Sequence, residues 1–242
     1  MEYTEFQRLF LEIAAENGIK SFEEETLQQF YTFTTHLLKV NQITNLTAIR
    51  NVPDVIAKHL IDSLFALEHI PSNARVLDLG CGPGFPSIPL AIARPDLQIV
   101  ALDSTAKKIT FVNEAVELLK LPNIKGVSGR AEDPAIRKNL GQFDVVTSRA
   151  VARLSILSEL CLPYVKIGGN LLALKAAKAE EELAEAQNAI KILGGGAAKT
   201  HSKHLIAANQ TTEPRCLIEI PKTKQTPPAY PRAYAAILKK PL

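Results

Sequence analysis

One stretch of the sequence, residues 75–86, constrains the fold more than any other. It reads RVLDLGCGPGFP, an apolar strand pattern that runs into a glycine-rich turn and then into a predicted helix. Gly80, Gly82 and Gly84 carry no Cβ, so a ligand can approach the backbone and the chain can turn with positive φ. Open α/β sheets bind ligands at such turns. Phe85 stands where a dinucleotide fingerprint has its third glycine, which favours one adenosine-like ligand over a dinucleotide.

A carboxylate follows at the end of the next predicted strand. Residues 97–102 form an apolar run that ends at Asp103, 23 positions beyond Gly80. In doubly wound folds an acidic residue about 20 positions past the glycine turn holds ribose hydroxyls. The turn and the carboxylate together indicate a site for an adenine nucleoside.

Strand and helix patterns alternate from Arg75 onward, which predicts a doubly wound, mostly parallel α/β sheet. The predicted strands are 75–79, 97–102, 124–128, 143–147 and 169–174, with an edge pair near 200–207 and 215–220. The predicted helices are 86–94, 105–120, 133–139, 154–164 and 178–192. Pro227, Pro228 and Pro231 predict an extended tail.

The residues before this region follow a helical pattern. Apolar residues within 4–17 recur at helical spacing, and Gly18 predicts a C-cap. Ser21 followed by Glu24 predicts a capping box for a second helix, and Pro53 predicts the start of a third. We therefore expect a helical extension over 1–70 and a ligand-binding domain with a basic tail over 71–242.

Composition and charge bound the function. The net charge is +3, but residues 1–30 have a balance of −5 and residues 199–242 a balance of +6. A basic terminal segment is suited to binding a polyanion, although many solvated surfaces are also basic.

Three scattered cysteines and a lone H-x-x-H at His201 and His204 lead us to expect neither disulfides nor a metal site. Without a signal peptide or a membrane-length apolar run, the chain is expected in the cytoplasm.

The segment after residue 143 limits the reaction chemistry. It reads DVVTSRA over 144–150, without the Asn/Asp-Pro-Pro-aromatic stretch of amine methylases or a Pro-Cys nucleophile. Arg149 cannot act as a base, but it can bind a carboxylate or a phosphate. A methyl acceptor bound by this segment should therefore need no deprotonation before the transfer. Guanine N7 meets this requirement, because its lone pair is already free. We expect Arg130 and Arg149 at strand ends facing the site, and Phe85 lining the pocket.

At this point the sequence resembles a known family, the bacterial small-subunit ribosomal RNA guanine-N7 methyltransferases, also called glucose-inhibited division protein B. The combination of N-L-T-A, H-x-x-D-S-L and S-R-A motifs in this order is more specific than the glycine turn. The resembling segments are Asn41–Ala48, His59–Leu64, Asp78–Leu90, Asp103–Ser104 with Lys107–Lys108, Gly129–Glu132, Ser148–Ala150 and Tyr230–Arg232. Ser87, Ala176 and the residues after Arg232 depart from the pattern of the family.

The resemblance implies a class I S-adenosylmethionine-dependent methyltransferase fold. It also implies methylation of N7 of guanine 527 in 16S rRNA of the 30S subunit by a monomer that needs no metal. The implied cofactor-binding residues are Gly80, Gly82, Gly84, Phe85, Asp103, Ala131, Glu132 and Arg149. The implied catalytic residues are His59, Arg130 and Arg149, and the implied RNA-binding residues are Asn45, Arg130 and Arg232.

Other interpretations remain. A related methyltransferase could act on another RNA, a small molecule or a protein, and a non-catalytic RNA-binding factor could retain the fold. A NAD-dependent oxidoreductase lacks support because the third glycine is missing and no tyrosine is followed four positions later by lysine. His59, Asp62 and Ser63 could suggest a hydrolytic triad, but residues on one helical turn cannot converge in that geometry.

Overall fold

The computed structural model describes residues 1–149 and 151–242, and in this part of the chain seven strands form one sheet in the order β3-β2-β1-β4-β5-β7-β6. The strands are β1 Arg75–Leu79, β2 Gln98–Asp103, β3 Ile124–Ser128, β4 Phe143–Arg149, β5 Val165–Lys175, β6 Lys199–Ile206 and β7 Thr212–Pro221. Strands β1 to β5 are mutually parallel, and β7 and β6 add an antiparallel hairpin at one edge. The predicted mostly parallel α/β sheet is confirmed.

Helices cover both faces of this sheet. They are α1 Tyr3–Glu16, α2 Glu24–Thr44, α3 Val52–Val55, α4 Asp62–Leu64, α5 Ser87–Ala93, α6 Ala106–Leu118, α7 Pro134–Leu140, α8 Leu154–Cys161, α9 Ala179–Ile192 and α10 Tyr234–Lys239. A π-helical turn, Ile56–Ile61, joins α3 to α4, and a 3₁₀ turn, Leu67–His69, leads toward β1. None of the helices described over 1–149 and 151–242 is both long and apolar enough to cross a membrane.

Alternation along the central strands produces two cores. Val76 packs into the core that contains the N-terminal aromatic residues, whereas Leu77 packs into the core of α8 and α9. The ring centroids of Phe33 on α2 and Phe85 are 5.4 Å apart. The N-terminal helices therefore pack directly against the glycine-rich turn that follows β1. The domain boundary at residue 70 stays a prediction.

The caps of the first two helices only partly follow the sequence pattern. Gly18 has φ +68°, and the amides of Gly18 and Ile19 bond to Ala15 and Ala14, which confirms the predicted C-cap. The capping box at Ser21 is wrong, because α2 begins at Glu24, three residues later. The Glu24 carboxylate instead accepts hydrogen bonds from Tyr3 and Gln7 of α1, at 2.6 Å each.

The segment just after α1 is bonded to the edge strand β6. The side chain of Asn17, just after α1, donates to the carbonyl of Ile206 at 3.0 Å and accepts from its amide at 2.8 Å.

The predicted extended tail is wrong over 234–239, where the chain forms α10. Burial of Ile237 in the α8–α9 core explains that helix.

Candidate functional site

The candidate site lies where the strand order reverses. Strands β1 and β4 are neighbours, yet the chain proceeds from β1 toward β2 and β3 on one side and from β4 toward β5 on the other. Such a reversal opens a crevice at the carboxyl ends of the strands. Gly80 follows β1, and Arg149 is the last residue of β4, so both face this crevice.

The prediction that β4 ends at residue 147 is wrong by two residues. Arg149 pairs with Leu174 in β5, and the Ser148 hydroxyl donates to the carbonyl of Leu79 at 2.8 Å. These bonds hold Arg149 on a rigid strand rather than on a loop. Ala150, the third residue of the S-R-A motif, lies outside the described residues.

The glycine turn is anchored by the neighbouring strand. The amides of Gly80 and Cys81 bond to the carbonyl of Leu102, and the Gly82 amide donates to Asp103 Oδ2 at 2.9 Å. The other Asp103 oxygen accepts from the Thr105 amide at 2.8 Å. Asp103 therefore shapes the turn, a role that its position in the sequence did not suggest.

Gly82 and Gly84 of the turn are glycine for different reasons. A Cβ on Gly82 would meet no described atom within 4 Å, so this position leaves the turn open to a ligand. Gly84 has φ +98°, and its Cβ would lie 2.5 Å from the side chain of Ile88. Packing and backbone conformation are enough to require a glycine at position 84, and its contact with a cofactor stays a prediction.

A cleft of about 340 Å³ lies beside this turn. Its walls include Gly80, Asp103, Ala131 and Glu132, four of the predicted cofactor residues, with Arg130 at the rim. Apolar walls come from Leu79, Leu102 and Leu160. Apolar surfaces for a base, with carboxylates at the strand ends for hydroxyls, fit a nucleoside. The Arg130 side chain is 66% exposed and lies 3.6 Å from the Glu132 carboxylate.

A second cavity, of about 780 Å³, opens next to the first and shares Gly80, Lys108 and Val151 with it. We call it the acceptor cavity. His59, Phe85 and Arg149 line it together. The structure therefore brings two of the three predicted catalytic residues into one cavity, whereas Arg130 lies at the other cleft.

His59 sits in the π-helical turn with both ring nitrogens bonded. Its Nδ1 lies 3.1 Å from Arg149 Nη2, and its Nε2 lies 2.9 Å from the Thr47 hydroxyl. A guanidinium can only donate, so Nδ1 is the acceptor and Nε2 carries the proton. Burial and the Arg149 charge lower the pKa of His59 to about 3. The ring stacks on Phe85 with centroids 4.3 Å apart.

Arg149 is held on three sides. Its Nη1 donates to the carbonyl of Lys58 at 2.9 Å and to Asp62 at 3.0 Å, in addition to the His59 contact. The opposite oxygen of Asp62 accepts from Arg215 Nε at 2.8 Å. Ser63 donates to the backbone carbonyl of His59, which confirms that these residues form no triad. Asp62 and Arg215 are members of the site that the sequence interpretation missed.

Basic side chains outnumber acidic ones around the acceptor cavity. Those that line it are Lys58, Lys108, Arg149, Lys175 and Arg215, against Asp62, Glu182 and Glu213. Each of the three carboxylates is paired with at least one of these cations. Lys108 has no ion-pair partner among the residues that the structure describes, and it lies at the junction of the two cavities. The cavity suits an anionic ligand.

Two predicted RNA-binding residues lie elsewhere. Asn45 is exposed at the end of α2 with φ 49°, and its side chain accepts from Arg50 at 3.2 Å. Its neighbours Leu46 and Thr47 line the acceptor cavity. Within the described residues, Arg232 lines neither cavity, because its guanidinium pairs with Glu159.

The cysteines behave as expected from their spacing. Cys81, Cys161 and Cys216 are free and buried. Burial raises the pKa of the thiol of Cys81, which lies in the glycine turn. They therefore act as small apolar side chains.

Comparison with known proteins gives the family context. The family model described as "rRNA small subunit methyltransferase G" matches residues 26–210. "Ribosomal RNA small subunit methyltransferase G" of Lachnoclostridium phytofermentans is 45% identical over 219 residues, which cover 89% of each chain. The protein of the same name from Lactobacillus acidophilus is 41% identical over 241 residues, 98% of each chain.

Among solved structures, an O-methyltransferase from Bacillus cereus in complex with SAH superposes with a TM-score of 0.57 at 15% identity. The match covers 90% of this chain and all of that one. At this identity the likeness concerns the fold alone. It establishes the class I S-adenosylmethionine-dependent methyltransferase fold that the sequence predicted.

Proposed function

This chain belongs to the rRNA small subunit methyltransferase G family, and from that premise we propose that it methylates N7 of guanine 527 in 16S rRNA. The proposed donor is S-adenosylmethionine, the proposed partner is the small ribosomal subunit and the proposed location is the cytoplasm. The observation that carries the proposal is the acceptor cavity, which is rich in cations and has no free base among its described residues. It opens beside the cleft of about 340 Å³ at the strand reversal.

The cleft beside the glycine turn is proposed to hold the donor. Gly80 would face it with bare backbone, Asp103 and Glu132 would accept hydroxyl hydrogen bonds, and Ala131 would lie against the adenine. When bound, S-adenosylmethionine supplies an electrophilic methyl group. Because Gly80, Lys108 and Val151 border both cavities, the junction at these residues is where the reacting atoms would meet.

The acceptor cavity suits a nucleophile that needs no proton removed. Both nitrogens of His59 are engaged, and its low pKa keeps it neutral. The carboxylates of Asp62 and Glu213 are committed to arginine or lysine partners. Guanine N7 presents an in-plane lone pair without deprotonation. The residues therefore have to align the base rather than activate it, with the reacting atoms about 3 to 3.5 Å apart.

Arg149 and His59 would act as positioning residues in this reaction. Methylation at N7 leaves a positive charge on the purine, so a guanidinium directed at N7 would oppose it. The described contacts of Arg149 instead direct its N–H groups toward Lys58, Asp62 and His59. It would thereby fix the Phe85–His59 stack as one wall for the base. Lys108 would be left to bind phosphate or the donor carboxylate.

The test is methyl transfer to defined RNA. Small subunits and protein-free 16S rRNA from cells that lack the enzyme would be incubated with labelled S-adenosylmethionine, and the label mapped by cleavage at 7-methylguanine. Label at N7 of guanine 527 is the expected result. Label on another base, another RNA or only on small molecules would refute the acceptor assignment. The Asp103→Ala variant serves as the matched control for background transfer.

A further inference from the structure

Three potential metal ligands converge at the edge of the sheet, away from both cavities. They are His69 in the 3₁₀ turn before β1, His201 on β6 and Glu219 on β7. Glu219 Oε2 lies 2.9 Å from His201 Nε2 and 3.6 Å from His69 Nδ1, and the three atoms all lie within 4.8 Å of one another. All three residues are half-buried.

The strand pairing explains how two of these ligands meet. His201 is paired with Leu217, so Glu219 is its diagonal neighbour on the same face of the hairpin. His204 is three positions from His201 and therefore lies on the opposite face, where it is exposed. The H-x-x-H pattern is thus divided between two faces, and the partner of His201 is His69, whose ring centroid lies 4.2 Å away.

The separations match those of a small tetrahedral centre. Zinc binds histidine nitrogen and carboxylate oxygen at about 2.0 to 2.2 Å, which places tetrahedral ligand atoms about 3.3 Å apart. The two separations from Glu219 Oε2, 2.9 and 3.6 Å, bracket that value, and two histidines with one carboxylate form a familiar zinc ligand set. We propose that His69 Nδ1, His201 Nε2 and Glu219 Oε2 bind one divalent transition-metal ion of the zinc type, with water as the fourth ligand.

The nearby cation does not compete for the Glu219 carboxylate. This cation, Lys203, is directed toward Glu68, with Nζ 3.7 Å from Oε2.

The site would have a structural role. Glu219 is four residues from Arg215 on β7, about 13 Å along the strand, so the metal would lie outside the acceptor cavity. It would join the segment that leads into β1 to the edge hairpin, two parts of the chain that are far apart in sequence. Binding to the folded state alone would stabilise it. The inference does not depend on the proposed methylation.

The experiment titrates chelator-treated full-length protein with zinc ions in a calorimeter. The expected result is one zinc per chain, with at least tenfold weaker binding in both His201→Ala and Glu219→Gln. His204→Ala, which removes an exposed histidine of the same strand, should bind like the wild type. A Co²⁺ complex should show visible absorption bands that His201→Ala lacks.

Two outcomes would overturn the proposal. In the first, the wild type binds no zinc, so the three residues form only a hydrogen-bonded cluster. In the second, His201→Ala binds as tightly as His204→Ala, so the metal lies elsewhere. If His201→Ala does not fold, His69→Gln is measured by the same titration, with the same expected loss.

Discussion

Glu159 on α8 and Arg232, in the segment before α10, form a bidentate ion pair. Nε and Nη2 of Arg232 donate to different oxygens of the Glu159 carboxylate, at 2.8 and 2.6 Å, and the Arg232 amide donates at 2.9 Å. Glu159 is fully buried. The arginine therefore neutralises a charge inside the protein and fixes the C-terminal segment.

Replacing Arg232 should destabilise the protein. Arg232→Ala leaves the buried carboxylate with the backbone amide but without a counter-charge, and we expect a loss of about 3 to 5 kcal/mol in the free energy of unfolding. Urea denaturation measures this, and the double variant Glu159→Gln/Arg232→Ala should recover part of the loss. Unchanged stability together with weaker RNA binding would instead support the RNA-binding role expected from the sequence.

His59 should stay neutral in acid. The pKa of His59 is lowered from 6.5 to about 3 in the folded state. Below pH 6.5 the imidazole is therefore protonated in the unfolded chain but stays neutral in the folded chain. The folded state therefore loses stability as the pH falls from 6.5, on the order of 3 kcal/mol by pH 4. Nitrogen NMR of the imidazole should show the Nε2–H form down to pH 4. A titration midpoint near 6.5 would contradict the assigned contacts.

Asp78, fully buried at the end of β1, should have the opposite pH dependence. Burial raises its pKa from 3.8 to about 6. The folded state then holds the proton more tightly, so the stability contribution falls as the pH rises from 4 to 6. The stability of Asp78→Asn relative to wild type should increase by on the order of 3 kcal/mol over that window. Asp96 is the control, because its hydrogen bond with Arg94 lowers its pKa. The wild type should lose the stability that this pair contributes as the pH falls, and Asp96→Asn should lack that loss.

Asp103 should be required for donor binding. Asp103→Ala removes the acceptor for the amides of Gly82 and Thr105 as well as the proposed ribose contact. Calorimetric titration with S-adenosylmethionine should show at least tenfold weaker binding, about 1.4 kcal/mol. Asp103→Asn, which retains one oxygen, should lie between. Wild-type affinity in the alanine variant would show that the carboxylate does not bind the donor.

Arg149 should affect turnover more than folding. In Arg149→Ala, Asp62 keeps Arg215 as a partner, but the His59–Phe85 wall loses its support. Misalignment of the acceptor should lower methylation about 100-fold, mainly in kcat. Arg149→Lys should not rescue it, because an ammonium cannot make the same three contacts. Arg153→Ala, an exposed arginine paired with Glu185, is the control. Wild-type turnover in Arg149→Ala would refute the assignment.

Local patterns predicted the central fold well. Apolar strand patterns and the glycines that follow them located β1 and β3 to the residue, because each strand ends directly before a glycine. Predictions that depended on tertiary contacts were less accurate. Pairing with β5 lengthened β4 to Arg149, and contacts with α1 took Glu24 away from the predicted capping box.

The charged network around the acceptor cavity had no local signal. Asp62 and Arg215 are 153 positions apart, and they meet because β7 crosses near the π-helical turn. Glu219 is likewise brought near His201 by the hairpin register, and His69 reaches it because the 3₁₀ turn before β1 lies against the hairpin. Such pairs follow from how elements dock, which spacing along the chain does not encode.

The bonds between Asn17 and Ile206 have a consequence for synthesis on the ribosome. The first helix leaves the ribosome long before its partner strand is made, since 189 positions separate the two residues. The hydrogen bonds between Asn17 and Ile206 therefore cannot form until residue 206 has emerged from the ribosome. A truncated product that ends before residue 206 would lack this fastening, so the amide hydrogens around residue 17 should exchange with solvent faster than in the full-length protein.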